Sequence, residues 1–112
     1  MAIRVFTIDE SIWAITLEGR VDSAVSRAVE EAFTNLFNGG HYRVVVDFSN
    51  TTYLASAGIR VLIMAQRTAQ AAGGNVQLAA ANLNLKEVMR MAGLEQIFVF
   101  NETVGEAVGR LK

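Results

Sequence analysis

Residues 44–62 read VVVDFSNTTYLASAGIRVL and lead from a run of valines into the start of an apolar helix pattern. The β-branched run predicts a buried strand at residues 43–47, and the spacing that follows predicts a helix at about residues 57–72, which Gly73-Gly74 ends. Ser56 therefore lies where a strand meets a helix N-terminus. Such an end carries unpaired backbone N–H groups and a positive dipole, so it suits a capping hydroxyl, a bound anion or a phosphorylated serine.

Strands and helices alternate along the rest of the chain. Residues 3–8 and 12–17 read as strands joined by the polar turn Asp9-Glu10-Ser11, which has the length of a hairpin connection. Apolar pairs four residues apart predict an amphipathic helix at residues 24–37, which Asn38-Gly39-Gly40 ends. The remaining predicted elements are a strand at 76–80, a short helix at 83–91, a strand at 96–100 and a helix behind the capping-box pattern at 103–106.

This element order, ββαβαβαβα, predicts one α/β domain over residues 1–112. We expect a central mixed sheet of about five strands, in which an opening hairpin is followed by mostly parallel strands. About four helices should pack against that sheet.

Composition excludes several classes of protein. The chain has no cysteine, which rules out a disulfide scaffold, a thiolate metal site and a thiol nucleophile, and fits a reducing compartment. The N-terminus lacks a signal-peptide pattern and no segment approaches the ~20 apolar residues of a membrane span, so we expect a cytoplasmic protein without membrane association. Ten Lys and Arg are scattered among eleven Asp and Glu, so no nucleic-acid footprint is visible. The expected partner is another protein or a small ligand.

Catalytic patterns are sparse in this sequence. His41 is the only histidine, and its place after Gly39-Gly40 predicts a solvated loop residue. The two glycine pairs end helices and lack the Lys-Ser or Lys-Thr of a phosphate loop. The carboxylates Asp9, Glu10 and Glu18 lie near strand ends without a second ligand type or an acid–base spacing. We therefore expect no catalysis, no metal and no cofactor.

Three motifs mark the strand ends and the start of the second helix. They are Gly19-Arg20-Val21-Asp22-Ser23, Val46-Asp47-Phe48-Ser49 and Ser56-Ala57-Gly58-Ile59-Arg60-Val61-Leu62. Together with the element order and the closing Leu94-Glu95-Gln96-Ile97-Phe98, they resemble the STAS domain of bacterial anti-sigma factor antagonists.

The resemblance implies a partner-switching module. The unphosphorylated domain would bind an anti-sigma factor serine kinase and so free a sigma factor. Phosphorylation by that kinase would release the domain, and a serine phosphatase would reset the cycle. Such a protein is a kinase substrate and not an enzyme.

The resemblance also implies a position for the phosphorylated serine, directly before the glycine of an Asp-Ser-Ser-Gly pattern. Ala57 takes that place here, and Ala55 takes the acidic position. Ser56, one residue earlier, is then the predicted acceptor. The alternative is that Ser56 is an N-cap, which would contribute about 1 kcal/mol to stability. Three nearby hydroxyls are better explained as strand-exit and turn residues: Ser49, Thr51 and Thr52.

The predicted helix after Ser56 has two contrasting faces. At ~100° per residue, the face that should pack on the sheet carries Val61, Leu62, Ala65, Ala69 and Ala72. The opposite face carries Ser56, Arg60, Ile63, Met64, Arg67 and Gln70. Two sizeable apolar side chains among arginines are typical of a protein-binding face, although another helix or an oligomer contact could cover them instead. A phosphate here should block a partner and leave the fold nearly unchanged.

The loop after the second strand belongs to the same predicted surface. By resemblance it lies near the serine, while locally Asp22 or Ser23 is an ordinary N-cap for the first helix. Asp47 either fixes a turn through Asn50 or contacts the partner, and we favour the turn. The complete predicted partner-binding surface is Asp22, Ser23, Ser56, Ala57, Gly58, Arg60, Ile63, Met64 and Arg67.

Three functions stay open at this point. The first is the phosphorylation-switched antagonist of an anti-sigma factor. The second is a STAS scaffold that binds a partner without phosphorylation, which the missing hydroxyl at Ala57 favours. The third is a small-ligand-binding or nucleotide-binding α/β domain. A homodimer is compatible with each of them.

Overall fold

The protein is a five-stranded sheet with helices on both faces. The computed structural model describes residues 2–112. The elements are β1 (Ile3–Thr7), β2 (Trp13–Val21), α1 (Ser23–Asn38), β3 (Arg43–Leu54), α2 (Ser56–Ala71), β4 (Asn75–Ala79), α3 (Leu83–Met91), β5 (Phe100–Asn101) and α4 (Val104–Leu111), with a short 3₁₀ helix at Leu94–Gln96. The predicted order of strands and helices is therefore confirmed.

The strands lie in the sheet in their chain order, from β1 to β5. The hairpin partners β1 and β2 are antiparallel, and every later pair is parallel. Because right-handed crossovers that progress in one direction stay on one side of a sheet, α1, α2 and α3 pack on the same face. Helix α4 covers part of the other face.

The valine run at the start of β3 builds the core on both faces of the sheet. Val44 and Val46 pack with α1, α2 and α3, whereas Val45 packs with α4 residues Ala107 and Leu111. All three valines are fully buried. Successive strand residues point to opposite faces, so a central strand with both faces covered needs an unbroken apolar run.

Strand β3 continues seven residues beyond the predicted end at Asp47 and finishes at Leu54. Its register with β2 shifts between the pairs Thr16/Asp47 and Glu18/Asn50, which places one extra residue in β3 and forms a bulge. Asp47 stabilises that bulge, because its Oδ1 accepts a hydrogen bond of 2.9 Å from the backbone N–H of Ser49. The prediction of a turn through Asn50 is therefore wrong, because Asn50 is part of the strand.

The strand extension also changes the roles of the hydroxyl residues that precede α2. Ser49, Thr51 and Thr52 belong to the strand and do not form a turn. Thr51 is buried, and its Oγ1 donates a hydrogen bond of 2.6 Å to the carbonyl of Leu17 in β2. Pairing across the sheet thus overrides the local turn preference of these polar residues.

The predicted strand at residues 96–100 is shorter and later than expected. Only Phe100–Asn101 pair with β4, and Gln96 lies in the 3₁₀ helix. Gly93 adopts a left-handed conformation with φ of 81°, and the chain then turns so that Leu94 and Phe98 are both buried. The apolar residues of this segment therefore pack in the core, although their backbone is not a strand.

His41 lies in a loop, as predicted, but it is half-buried and therefore less solvated than expected. Its ring centre lies 5.0 Å from that of Trp13 in β2, which is an ordinary aromatic packing distance.

Candidate functional site

Ser56 is the first residue of α2, and Ala55 is its N-cap. The backbone N–H groups of Gly58 and Ile59 donate to the Ala55 carbonyl at 2.9 and 3.1 Å, and no side chain caps the helix. Ser56 is exposed, and within residues 2–112 its hydroxyl makes no hydrogen bond. The N-cap interpretation of Ser56 is therefore wrong, and the hydroxyl is free to react or to bind.

Two grooves flank the start of α2. The α1–α2 groove is lined by Ser23, Ser26, Arg27, Glu30, Ala57, Arg60, Val61 and Met64. The α2–α3 groove has a volume of about 300 Å³ and is lined by Thr52, Tyr53, Leu54, Ser56, Ile59, Asn84, Leu85 and Val88. Consecutive helix residues point about 100° apart, so Ser56 and Ala57 open onto different grooves.

Gly58 allows α2 to approach α1 closely. A Cβ atom at this position would lie 2.7 Å from Cδ1 of Leu54 and 3.1 Å from Oγ of Ser26 in α1. Gly58 is itself buried, so it supports the predicted surface from inside and presents no side chain to a partner.

Asp22 is the N-cap of α1, which is the local role that the sequence predicted for Asp22 or Ser23. Its Oδ1 accepts a hydrogen bond of 3.0 Å from the backbone N–H of Val25. Ser23 is the exposed first residue of α1. The N–H of Ala55 donates to the carbonyl of Val21 at 2.9 Å, which joins the strand ends that precede α1 and α2. The two helix N-termini therefore lie side by side.

Comparison of the chain with known protein families identifies the family to which this fold belongs. The family model described as "Mlab, STAS domain" matches residues 6–101, which is most of the chain. The chain belongs to the STAS domain family.

This STAS chain is similar in sequence to a protein named as an anti-sigma factor antagonist, and similar in fold to solved structures of SpoIIAA. It is 29% identical over 82 residues to "Putative anti-sigma factor antagonist BtrV" of Bordetella bronchiseptica, covering 73% of this chain and 71% of that protein. The phosphorylated form of the Bacillus cell fate determinant SpoIIAA superposes with a TM-score of 0.79 at 19% identity, covering 99% of this chain and all of the other. Unphosphorylated SpoIIAA gives a TM-score of 0.85 at 20% identity, covering 97% and 95%.

The grooves separate the two residues that the sequence resemblance singled out, Ala57 at the implied acceptor position and the predicted acceptor Ser56. The position directly before the glycine is Ala57, which faces the α1–α2 groove. The retained hydroxyl at Ser56 faces the α2–α3 groove instead. The shift of one residue along the sequence therefore moves the hydroxyl to the other side of α2.

The exposed face of α2 differs in part from the predicted one. Arg60 and Arg67 are exposed, and Met64 is 56% exposed. Ile63 is half-buried and packs against the main core, so the expectation that it forms an exposed apolar centre is wrong. Met64 is the apolar contact residue that remains on this face.

The sheet-facing side of α2 also departs from the prediction. Val61 is only half-buried and Ala72 is exposed, whereas Gln66 is buried. The Gln66 amide binds the next strand: Oε1 accepts from the N–H of Val76 at 2.7 Å, and Nε2 donates to Oδ1 of Asn75 at 3.0 Å. The sequence did not indicate this role, because Gln66 is simply a polar residue next to the predicted sheet-facing residues of the helix.

Tyr53 and Arg20 form a part of the site that the sequence did not predict. The guanidinium carbon of Arg20 lies 4.2 Å from the centre of the Tyr53 ring, a cation–π distance. Tyr53 is 41% exposed and lines the α2–α3 groove beside Ser56. A second register shift, between the pairs Gly19/Thr51 and Arg20/Tyr53, places Tyr53 directly opposite Arg20, so residue type and spacing in the sequence could not reveal the pair.

The surface around the start of α2 is rich in unpaired arginine. In the described part of the chain, ion pairs involve Lys86, Arg90 and Lys112, all outside this surface. Arg27 and Arg60, which line the α1–α2 groove, make none of these ion pairs, and neither do Arg20 over the Tyr53 ring and Arg67 further along α2. Their charges are available to an acidic partner.

Residues 2–112 contain neither a metal-binding cluster nor a membrane-spanning helix. No group of three or more His, Asp or Glu side chains is placed to hold a metal ion. None of the helices in that range is both long and apolar enough to cross a bilayer.

Proposed function

We propose that this STAS domain is an anti-sigma factor antagonist controlled by phosphorylation of Ser56. In the proposed cycle, the unphosphorylated domain binds an anti-sigma factor serine kinase in the cytoplasm and a sigma factor is released. The kinase phosphorylates Ser56, the domain dissociates, and a serine phosphatase restores it. The chain is a substrate in this cycle and does no catalysis. The name of the BtrV relative supports the antagonist role.

One observation carries the choice of Ser56. Each of the other three α-helices has a side-chain cap, provided by Asp22, Asn82 and Thr103. Helix α2 has Ala55 at that position, so its N-terminus keeps free N–H groups next to an exposed hydroxyl. An uncapped N-terminus can accept the negative charge of a phosphate, because the helix dipole and the free N–H groups favour an anion.

The same geometry favours a switch that leaves the fold intact. A phosphate on Ser56 adds close to two negative charges at the positive end of α2, with Arg60 one turn further along. Neither group is buried, so the charge does not disturb the core. SpoIIAA offers a parallel, since both its phosphorylated and its unphosphorylated forms superpose on this chain.

The proposed partner surface consists of the exposed residues on both sides of α2. Met64 supplies an apolar contact at the α1–α2 groove, and Arg60 lines the same groove. Asp22, Ser23, Ala57 and Arg67 complete the surface. Gly58 and Ile63 support it from inside. A phosphate at Ser56 would add bulk in the α2–α3 groove and repel partner carboxylates that approach the arginines.

A second candidate is a scaffold that binds its partner without phosphorylation. The alanine at position 57 favours it, because the α1–α2 groove then has no hydroxyl at the STAS acceptor position. A small-ligand-binding or nucleotide-binding α/β domain is the third candidate, and it rests on the sequence alone.

The three functions are separated by incubating the protein with a cognate anti-sigma factor kinase and ATP. Mass spectrometry then maps the phosphate, and calorimetry measures kinase binding before and after the reaction. Phosphate on Ser56 with loss of binding supports the switched antagonist. Persistent binding by unmodified protein supports the scaffold, and nucleotide binding without kinase binding supports the third function. Ser56→Ala should bind the kinase and stay unmodified. Ser11→Ala is the matched control, because Ser11 is an exposed serine in the turn between β1 and β2 and lies outside the proposed surface; it should be phosphorylated like the wild type.

A further inference from the structure

Strand β1 leaves one edge of the sheet unprotected. Within residues 2–112 it pairs only with β2, whereas the opposite edge is the two-residue strand β5. Val5 and Phe6 are 41% and 42% exposed, and they point to opposite faces of the sheet. Edge strands are usually protected by proline, bulges or several charges, and β1 has only Arg4. Its edge is therefore open to pairing with another strand.

The free hydrogen-bonding groups of β1 belong to Ile3, Val5 and Thr7. The N–H of Glu18 donates to the Ala2 carbonyl at 2.8 Å, and the N–H of Ile8 donates to the Ile12 carbonyl at 2.8 Å. In an antiparallel ladder, directly opposite residues alternate between exchanging hydrogen bonds and exchanging none. The even-numbered residues of β1 therefore bond to β2, and the odd-numbered residues direct their N–H and C=O groups away from the sheet.

We propose that β1 pairs with β1 of a second copy of this chain, antiparallel and about a two-fold axis at Val5. Val5 then lies opposite Val5 of the second copy, and Ile3 lies opposite Thr7 of the second copy. Ile3, Val5 and Thr7 each form two backbone hydrogen bonds, through N–H and C=O, with the opposite residue of the second copy. The interface is self-complementary, as a two-fold dimer requires, and the two sheets become one continuous sheet.

Charge repulsion favours the register with the axis at Val5 over the register with the axis at Arg4. With the axis at Val5, Arg4 lies opposite Phe6 of the second copy, where a guanidinium can stack on the ring. Moving the axis by one residue to Arg4 would place the two Arg4 side chains opposite each other, and like charges in that position destabilise a ladder. The register about Val5 also pairs the whole strand.

The apolar surface beside β1 extends the contact. The β1–α1 groove has a volume of about 520 Å³, and Ile3, Val5 and Trp13 line it together with Ala32 and Leu36 of α1. The two-fold axis of an antiparallel strand pair is perpendicular to the sheet, so both α1 helices lie on the same face. The two grooves therefore meet across the axis, where the Val5 side chains pack together. The start of α2 follows β3, two strands away from β1, so each subunit keeps its Ser56 accessible.

Sedimentation equilibrium of the wild-type chain is the first test. The expected result is a reversible monomer–dimer equilibrium in which the dimer has twice the 12.2 kDa mass of the chain. A chain that stays monomeric into the millimolar range would overturn the proposal.

Charge variants at the two-fold axis test the register. Val5→Lys and Val5→Glu each place like charges opposite each other, so each alone should sediment as a monomer, while an equimolar mixture should recover the dimer as a Lys–Glu pair. Val99→Lys is the matched control, because Val99 is 42% exposed and lies far from β1 in the chain; it should dimerise like the wild type. A dimeric Val5→Lys protein, or a mixture that stays monomeric, contradicts the proposal.

Cross-linking provides a readout that needs no charge in the strand. The chain has no cysteine, so Val5→Cys introduces a unique thiol at the two-fold axis. A short bis-maleimide should link Val5→Cys into covalent dimers and leave the α1 variant Thr34→Cys monomeric. Equal cross-linking of the two variants, or no cross-linking of Val5→Cys, is the contrary result.

Discussion

Replacement of Gln66 by leucine tests whether the buried amide fixes α2 to the sheet. The side chain keeps a similar size but loses the bond between Oε1 and the N–H of Val76, which is 2.7 Å long. Val76 is fully buried, so its N–H loses its partner at a cost of about 1–3 kcal/mol. Loss of the 3.0 Å bond from Nε2 to Asn75 adds about 1 kcal/mol. Asn75 is not left unpaired, because its Oδ1 also accepts from Gln77 at 3.2 Å.

The greater burial of apolar surface by leucine offsets about 1 kcal/mol of this loss. Gln66→Leu is therefore expected to lower the free energy of unfolding by about 2 kcal/mol, which corresponds to a decrease in Tm of roughly 10 °C for a domain of this size. Urea denaturation followed by circular dichroism measures the change. Gln70→Leu, an exposed position on the same helix, is the control and should stay within about 0.5 kcal/mol of the wild type. A Gln66→Leu protein as stable as that control would refute the reasoning.

Three further changes have defined outcomes. Ser56→Asp should keep its helix content and change stability by no more than about 1 kcal/mol, since an acidic residue suits a helix N-terminus, and it should lose kinase binding in calorimetry. Gly74→Ala should lower the free energy of unfolding by about 3 kcal/mol or more in urea denaturation, because its Cβ would overlap the backbone carbonyl of Tyr42. Asp9→Asn should reduce the acid sensitivity of stability between pH 6 and pH 2. The pKa of Asp9 is lowered below its ordinary value of 3.8, chiefly by the hydrogen bond from the Ser11 backbone N–H, so its contribution is present above that value and is lost as the pH falls through the lowered pKa.

A defined result would contradict each of these three predictions. A large loss of helix content or of Tm in Ser56→Asp would show that the phosphate acts on the fold. Gly105→Ala is the control for Gly74→Ala, because the nearest atom to its Cβ would be 3.8 Å away; equal losses in the two variants would contradict the proposed overlap. An unchanged pH profile in Asp9→Asn would mean that other carboxylates carry the acid sensitivity.

Helix boundaries were predictable because their signals are local. The period of apolar residues and the glycines after α1 and α2 placed these helices to within one or two residues of Ser23–Asn38 and Ser56–Ala71. The short helix at Leu83–Met91 was predicted with its observed bounds. Each of these signals depends on residues within a few positions of one another, so no knowledge of distant contacts was needed.

The extension of β3 was not predictable, because its cause is distant in the chain. The polar run from Ser49 to Thr52 has the composition of a turn. It becomes strand because it pairs with the end of β2, about 32 residues earlier, as the register of Glu18 with Asn50 shows. The burial of Ile63 was not predictable for a similar reason, because a helical wheel does not include the neighbouring elements that cover a residue.

At the start of α2, sequence and tertiary structure decided different things. The sequence by itself determined that Ser56, at the start of the helix, carries a hydroxyl and that the next residue, Ala57, has none. Only the tertiary structure decided that these neighbours open onto different grooves, one towards α3 and one towards α1. The physical reason is that side-chain direction follows from local helix geometry, whereas a groove exists only where another element packs beside that helix.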